Sequence, residues 1–232
     1  MFSHGANDEM SDDPLAMPQN GAEPLCGESG RPLILCDADE VLIEFARPLQ
    51  GFLAERGLML DFASFALTGN IRRERDGVAL EKGMVRQLIS AYFEAHVDAV
   101  MPVEGACEGI RRLSEWADIL VLSNVPQHLK HRRSEALRAS GLPLEVVSNT
   151  GPKGPAVARL IDGGSRPAVF IDDLPLQHAS VAEHAPQVHR VHFVADPRLA
   201  RLVAPAEHCH RRIDRWRECV DYLDRTLRGR AA

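Results

Sequence analysis

The sequence of 232 residues lacks a long apolar run, a Cys-x-x-Cys motif, and any Lys or Arg among its first thirty positions. No segment approaches the roughly 18 apolar residues that a membrane-spanning helix requires, so the sequence predicts no membrane span. The start has neither the basic segment nor the apolar core of a secretory signal peptide. The five cysteines are an odd number, which favours free thiols in a reducing compartment. We therefore expect a cytoplasmic protein.

The absence of Lys and Arg marks positions 1–30 as a separate segment. It contains six acidic residues, which match the formal charge of −6 for the whole chain. The segment is poor in aliphatic residues, so it cannot bury enough apolar surface to offset the entropy lost on ordering. We predict a disordered acidic tail, with a regulatory docking segment as the alternative. The rest of the chain is balanced in charge, which argues against binding to nucleic acid or anionic lipid.

The remaining residues suit one medium α/β domain. The apolar fraction of 45% is ordinary for a globular protein. Short apolar runs that predict strands alternate with segments of helical spacing, which predicts a Rossmann-like parallel sheet with helices on both faces. This α/β core spans residues 31–44 and 101–232. Residues 45–100 contain no obvious strand-like run and carry apolar residues at helical spacing, so they predict a small α-helical insertion.

Three of the apolar runs end in polar side chains. The first ends at Asp37, with Asp39 two positions later, and the second ends at Ser123. The third ends in the adjacent acids Asp172 and Asp173. Open α/β sheets bind ligands at the carboxyl ends of their strands, so these residues are candidates for one site. Taken alone, the first pair of acids fits a loop that caps the next helix equally well.

The order Asp-x-Asp, Ser, Lys, Asp-Asp resembles the four motifs of the haloacid dehalogenase-like (HAD) hydrolase superfamily. The lysine is Lys153, which opens a helical pattern, and the resemblance extends from Arg31 to about Val194. It implies that residues 45–100 form a helical cap, which closes over the active site and excludes water. The dehalogenase branch lacks the second acid of the first motif. Because this chain keeps both acids, it looks like the phosphatase and phosphotransferase branch.

The resemblance also implies roles for the four acids. Asp37 would be the nucleophile that accepts the phosphoryl group, and Asp39 would protonate the leaving oxygen and then activate water. Mg²⁺ would bind to Asp37, the main-chain carbonyl of Asp39, and Asp172, with Asp173 as a water-mediated or orienting contact. Which of Asp172 and Asp173 binds the ion directly stays open.

The other two motifs would bind the phosphoryl group. Ser123 would donate its hydroxyl to it, with Asn124 beside it in the predicted substrate-binding set. Lys153 would neutralise charge on Asp37 and on the phosphoryl oxygens. The alternatives are a helix N-cap for Ser123 and a surface cation for Lys153.

Two further features concern substrate choice. Glu40-Val41 stands where the superfamily usually has Gly-Thr, so Glu40 adds a charge beside the turn and alters the local loop. The insertion contains a polar stretch with Arg72, Arg73 and Arg75. Our hypothesis is that one of these, with Arg72 as the candidate, binds an anionic part of the substrate. A solvated charged surface is the alternative.

Taken together, the motifs predict a Mg²⁺-dependent phosphatase that hydrolyses a small phosphorylated metabolite through an aspartyl-phosphate intermediate. One alternative is a phosphotransferase or mutase of the same superfamily, which passes the phosphoryl group to an acceptor other than water. The other is a binding protein that has the fold and no catalytic activity. The sequence identifies neither the substrate nor the oligomeric state.

Overall fold

The computed structural model describes residues 30–161 and 166–227. The predicted acidic tail therefore lies outside the described residues, apart from Gly30. The strands are β1 Leu33–Cys36, β2 Leu58–Leu60, β3 Ile71–Arg73, β4 Asp118–Ser123, β5 Glu145–Ser148, β6 Ala168–Asp172, β7 His189–His192 and β8 Arg211–Arg212. The helices are α1 Ala46–Ala54, α2 Lys82–His96, α3 Ala106–Ser114, α4 Lys130–Ala139, α5 Gly154–Leu160, α6 Pro175–His184, α7 Pro197–Ala200 and α8 Trp216–Leu227. A 3₁₀ turn, Gln127–Leu129, precedes α4.

Six of the strands form one parallel sheet in the order β5-β4-β1-β6-β7-β8. The predicted Rossmann-like α/β fold is confirmed. From β1 the chain first builds outward through β4 and β5, then crosses back to β6 and builds outward on the other side. The direction of building changes beside β1, and such a switch point is where sheets of this kind bind ligands.

Both faces of the sheet are covered, which explains why β1 is apolar throughout. The side chains of Ile34 and Cys36 join a cluster with α3, α4 and α8 on one face. Those of Leu33 and Leu35 join a second cluster with α5 and α6 on the other face. This alternation follows the two-residue period of a strand. The buried center of the sheet thus provides a rigid base for the loops at the strand ends.

The insertion, residues 45–100, contains α1, β2, β3 and α2 and has an apolar cluster of its own. The prediction that it lacks strands was wrong, because β2 pairs antiparallel with β3. Each of these strands has only three residues. Such short strands show no clear two-residue alternation, and the longer helical patterns around them dominate the sequence signal.

The last helix, α8, packs on the sheet through one apolar side. Trp216, Val220, Leu223 and Leu227 are all buried. The indole Nε1 of Trp216 donates to the carbonyl of Val41 at 2.8 Å, which ties this helix to the loop after β1. Within the described residues, no helix is both long and apolar enough to span a bilayer.

Candidate active site

The predicted acids meet at the switch point of the sheet. Asp37 follows β1 directly, and Asp172 is the last residue of the neighbouring strand β6. Cys36 pairs in register with Ile171, so the two carboxyl groups start from adjacent positions on adjacent strands. Both side chains are buried, with relative exposures of 6% for Asp37 and 0% for Asp172. The sheet topology alone therefore brings together two residues that are 135 positions apart in the sequence.

Lys153 reaches this pair because α5 packs closely against α6. Its main-chain N–H donates to the side-chain oxygen of Gln177 at 2.8 Å, and the next N–H, of Gly154, donates to the Ser180 hydroxyl at 3.0 Å. A Cβ on Gly154 would lie 2.2 Å from the Ser180 carbonyl oxygen, so only glycine permits this approach. The packing of two helices thus fixes the backbone of Lys153 at the site.

The ammonium group of Lys153 bridges the two acids. Its Nζ lies 2.7 Å from Asp37 Oδ1 and 2.7 Å from Asp172 Oδ2. Burial alone would lower the pKa of Lys153, but the carboxylates of Asp172 and Asp37 outweigh it and raise that pKa. Lys153 is therefore a permanent cation here and not a surface residue, since its relative exposure is 1%.

Asp173 adds a third buried carboxyl group. One carboxylate oxygen each from Asp37, Asp172 and Asp173 can be chosen so that all three lie within 4.8 Å of one another. Burial raises the pKa of Asp37 to about 6, opposed by Lys153, and burial also raises the pKa of Asp173. One ammonium group does not balance three buried carboxylates, so a cation placed among them would be strongly stabilised.

Asp39 is paired with a different cation, Arg133, which the sequence reasoning missed. Arg133, on α4, is 3% exposed, and its Nη2 lies 3.6 Å from Asp39 Oδ1. Burial raises the pKa of Asp39, and the charge of Arg133 opposes that rise. A signal for Arg133 was present in the sequence, because it follows Leu129 by four residues and precedes Leu137 by four, on the apolar side of the helix.

Two buried histidines, also missed, support the loop that carries the paired acids. The Nε2 atoms of His178 and His192 lie 3.0 Å and 2.8 Å from the carbonyl oxygens of Asp172 and Asp173. Burial lowers the pKa of each histidine to about 4, so both rings are neutral near pH 7. Because a carbonyl only accepts, Nε2 is the protonated nitrogen in each ring. No short motif links these histidines to the acids, so the sequence offered no signal for them.

Glu40 proves to be a structural residue of the loop after β1. It has φ of +59°, a left-handed conformation that explains why glycine is usual at this position in the superfamily. Its Oε1 accepts the main-chain N–H groups of Phe45 and Ala46 at 3.0 and 2.7 Å, and its Oε2 accepts that of Asp196 at 3.0 Å. The charge that looked disruptive in the sequence therefore caps α1 and ties it to the loop after β7.

Glu40→Ala should lower the free energy of unfolding by about 2–4 kcal/mol, since one buried and two partly buried N–H groups lose their acceptor while the left-handed strain remains. Glu40→Gly should lower it by about 1 kcal/mol less, because glycine removes the strain. Urea unfolding followed by circular dichroism measures both values. The control is Glu44→Ala, which removes a partly exposed ion pair with Arg47 and should cost at most roughly 0.5 kcal/mol. Equal losses for the alanine and glycine variants would show that the backbone strain is absent.

Ser123 and Asn124 are two of the remaining residues that the sequence predicted for the site. Ser123 ends β4 at the same edge of the sheet, but its side chain is fully buried and accepts the N–H of Val125 at 3.2 Å. A hydroxyl that accepts one bond can still donate another, so its phosphoryl role stays a prediction. Asn124 lines the cavity beside Asp37, and its side chain donates to the carbonyl of Gly151 at 3.1 Å.

The arginines of the insertion are paired with acids of the insertion. Arg72 Nε lies 3.2 Å from Asp61 Oδ2, while Arg73 and Arg75 both contact Asp76. None of the three is among the described residues that line the cavity beside Asp37. Binding of an anionic substrate group by Arg72 therefore stays a prediction, and it would require Arg72 to leave its partner Asp61.

The sequence matches no protein-family model and no curated protein. Solved structures do share its fold. A HAD family hydrolase from Deinococcus radiodurans R1, with bound phosphate and sodium, is 20% identical, with 85% of this chain and 97% of that chain covered at a TM-score of 0.57. A HAD-hydrolase from Bacillus subtilis, bound to magnesium, is 15% identical, with 84% and 99% covered at 0.55. A predicted phosphatase from Clostridium acetobutylicum is 10% identical, with 83% and 98% covered at 0.53.

These similarities confirm the resemblance that the four motifs suggested: the chain has the α/β fold of the HAD-like hydrolases. At such low identities the similarity establishes the fold, and function has to be argued from the residues at the site.

Proposed function

We propose that this chain, which has the HAD-like hydrolase fold, is a Mg²⁺-dependent phosphatase that acts through a phosphorylated Asp37. The observation that carries the proposal is the buried arrangement at the switch point. Three carboxyl groups converge there, Lys153 bridges two of them at 2.7 Å, and a further acid, Asp39, lies beside its own arginine. A phosphoryl-transfer center needs a nucleophile, countercharge and a proton donor, and this group of residues supplies all three.

The side chains fit a hard divalent cation. Carboxylate oxygens from Asp37, Asp172 and Asp173 are the ligand type that Mg²⁺ prefers, and Mg²⁺ keeps several water ligands where a protein supplies few. Asp37 uses Oδ1 for Lys153 and for the N–H of Ala38, so among its contacts with described residues Oδ2 stays free. The main-chain carbonyl of Asp39 is the further ligand expected from the motif. A bound Mg²⁺ would keep Asp37 ionised and neutralise charge on the phosphoryl oxygens.

In the first step the Asp37 carboxylate attacks phosphorus, and the bond from phosphorus to the ester oxygen breaks. Asp39 in its carboxylic acid form gives its proton to the departing oxygen. Lys153 offsets the negative charge that spreads over the phosphoryl oxygens. The products of this step are a free alcohol and a phosphorylated Asp37.

In the second step the Asp39 carboxylate removes a proton from water. The resulting oxygen attacks phosphorus, the bond from phosphorus to Asp37 breaks, and inorganic phosphate is released. Asp39 thus changes from acid to base within one cycle, which requires a pKa close to the working pH. Burial raises the pKa of Asp39 and the charge of Arg133 limits that rise. These opposing effects support a residue that acts both as an acid and as a base.

The insertion is the proposed cap. This role is supported by residues from its hairpin and helices that line the same cavity as Asp37 and Asp39. Closure of such a segment would exclude water from the first step and would leave room for a single water in the second.

Phosphate release from a panel of phosphate monoesters, with Mg²⁺ and with excess chelator, tests the proposal. We expect release to fall at least about a hundredfold without the cation, since it supplies several kcal/mol of charge stabilisation. A phosphotransferase would instead release little phosphate, and with a suitable acceptor it would form a new phosphate ester of that acceptor. No turnover of any ester, despite Mg²⁺ binding measured by calorimetry, would favour a binding protein with the fold alone.

A further inference from the structure

The cavity beside Asp37 has two chemically different ends. Asp37, Asp39, Asp173 and Lys153 form one end, where the phosphoryl group would bind. The other lining residues, which we call the apolar end, are mainly apolar side chains from the loop 60–67, from the start of α1 and from α2. These include Phe45, Phe62, Phe65, Phe93, Leu60 and Leu67.

Phenylalanine is concentrated here to an unusual degree. The whole chain contains eight phenylalanines, and four of them line this cavity. All four are only partly buried, so they present apolar surface to the cavity and are not packed wholly inside a core. A ligand with an apolar body would remove that surface from water.

The polar side chains at the apolar end are already bonded within the protein. Asp61 pairs with Arg72 at 3.2 Å, and the Ser64 hydroxyl accepts the side-chain amide of Asn70 at 2.8 Å. Both carboxylate oxygens of Glu40 accept main-chain N–H groups. Asp61 and Ser64 keep some further hydrogen-bonding capacity, but two such side chains are few for the several hydroxyl groups of a sugar.

The cation next to the apolar end is already paired: the guanidinium of Arg198 lies 4.3 Å from the center of the Phe62 ring and forms an ion pair with Asp196. Lys153 is the single basic residue among the described residues that line the cavity, and it is held by Asp37 and Asp172. A carboxylate or second phosphate at the far end would lose its hydration without gaining a partner.

The volume of the cavity, about 220 Å³, limits the size of the ligand. Pockets for drug-sized ligands hold roughly 300–1,000 Å³, so this one suits a smaller molecule. We infer that the substrate is the phosphate monoester of a small, uncharged, apolar alcohol or phenol, whose body packs against Phe62 and Phe65. This assignment of substrate class rests on the proposed phosphatase function.

The test compares kcat/KM of the full chain with Mg²⁺ on esters of similar size. The apolar esters are phenyl phosphate and isobutyl phosphate, and the polar ones are glycerol phosphate, phosphoglycerate and phosphocholine. We expect the apolar esters to be preferred by at least about tenfold, because each buried CH₂ group contributes about fourfold.

The variants Phe62→Ala and Phe65→Ala should each lower the ratio of kcat/KM for phenyl phosphate over glycerol phosphate by about fivefold or more. Two variants are used so that one poorly folded protein does not decide the result. The control, Leu176→Ala, removes an apolar side chain that is 83% exposed and is not among the cavity residues, so its ratio should match the parent.

A preference for glycerol phosphate, phosphoglycerate or phosphocholine would overturn the assignment, and so would an unchanged ratio in both phenylalanine variants. These outcomes would leave the phosphatase proposal standing. If no ester is hydrolysed, the proposed function fails, and calorimetry with phenylphosphonate and phosphonoacetate then decides the assignment separately. Tighter binding of phenylphosphonate would support the apolar cavity, and tighter binding of phosphonoacetate would overturn it.

Discussion

Asp37→Asn should lower kcat by at least about a thousandfold on every phosphate monoester, because an amide cannot replace the carboxylate as nucleophile. Asparagine preserves the shape of the side chain, so the cavity and the contacts of its neighbours should persist. Lys153 keeps its bond to Asp172 at 2.7 Å. Steady-state phosphate release measures the loss.

The same variant should not be less stable than the parent. Burial raises the pKa of Asp37 to about 6, which shows that the folded protein disfavours its charged form. Replacing it by a neutral amide removes the cost of burying that charge. Residues that serve activity often lower stability in this way. The control is Asp118→Asn at the other end of the sheet, which loses ion pairs with Arg31 and Arg166 and should keep full activity. An Asp37→Asn protein that turns over at the parent rate would remove Asp37 from the mechanism.

Asp39→Asn should have the second largest effect, and its size should depend on the leaving group. For an alkyl phosphate we expect kcat/KM to fall by about 10²- to 10⁴-fold, the usual contribution of a general acid. For p-nitrophenyl phosphate the fall should be much smaller, because nitrophenolate leaves without a proton. The second step still lacks its base, so rapid mixing should show a burst of nitrophenolate followed by slow turnover.

Arg133→Met serves as the companion variant for Asp39. Arg133 holds down the pKa of Asp39, so its loss should raise that pKa. Because the first step needs protonated Asp39, the fall in kcat/KM at high pH should then shift to higher pH. A loss of kcat/KM in Asp39→Asn that is equal for both leaving groups would contradict the role of Asp39 as the proton donor.

The parts of this site that could be predicted from sequence are those that the sheet itself positions. Asp37 and Asp172 follow apolar strands, and neighbouring parallel strands end at one edge, so their convergence follows from pattern alone. The strand pattern alone does not predict the position of Lys153, because that position depends on Gly154, which lets α5 contact α6. Its place in the ordered motifs nevertheless identified it.

The parts that could not be predicted depend on long-range packing. Arg133, His178 and His192 belong to none of the four motifs, and only the folded chain shows which acid each one supports. Glu40 was misjudged because its favourable partners include Asp196, 156 positions away. The hairpin of β2 and β3 was missed because six residues carry too little periodic signal to compete with the helices around them.

A crystal structure with Mg²⁺ and beryllium fluoride, which mimics a phosphoryl group on a carboxylate, tests the central claim most directly. We expect beryllium bound to an Asp37 oxygen, with Mg²⁺ between that group and the carboxylates of Asp172 or Asp173 at about 2.0–2.1 Å. Lys153 should contact the fluorides, and Asp39 should face the side opposite the bond to Asp37. Beryllium fluoride on another side chain, or Mg²⁺ bound away from these acids, would contradict the account.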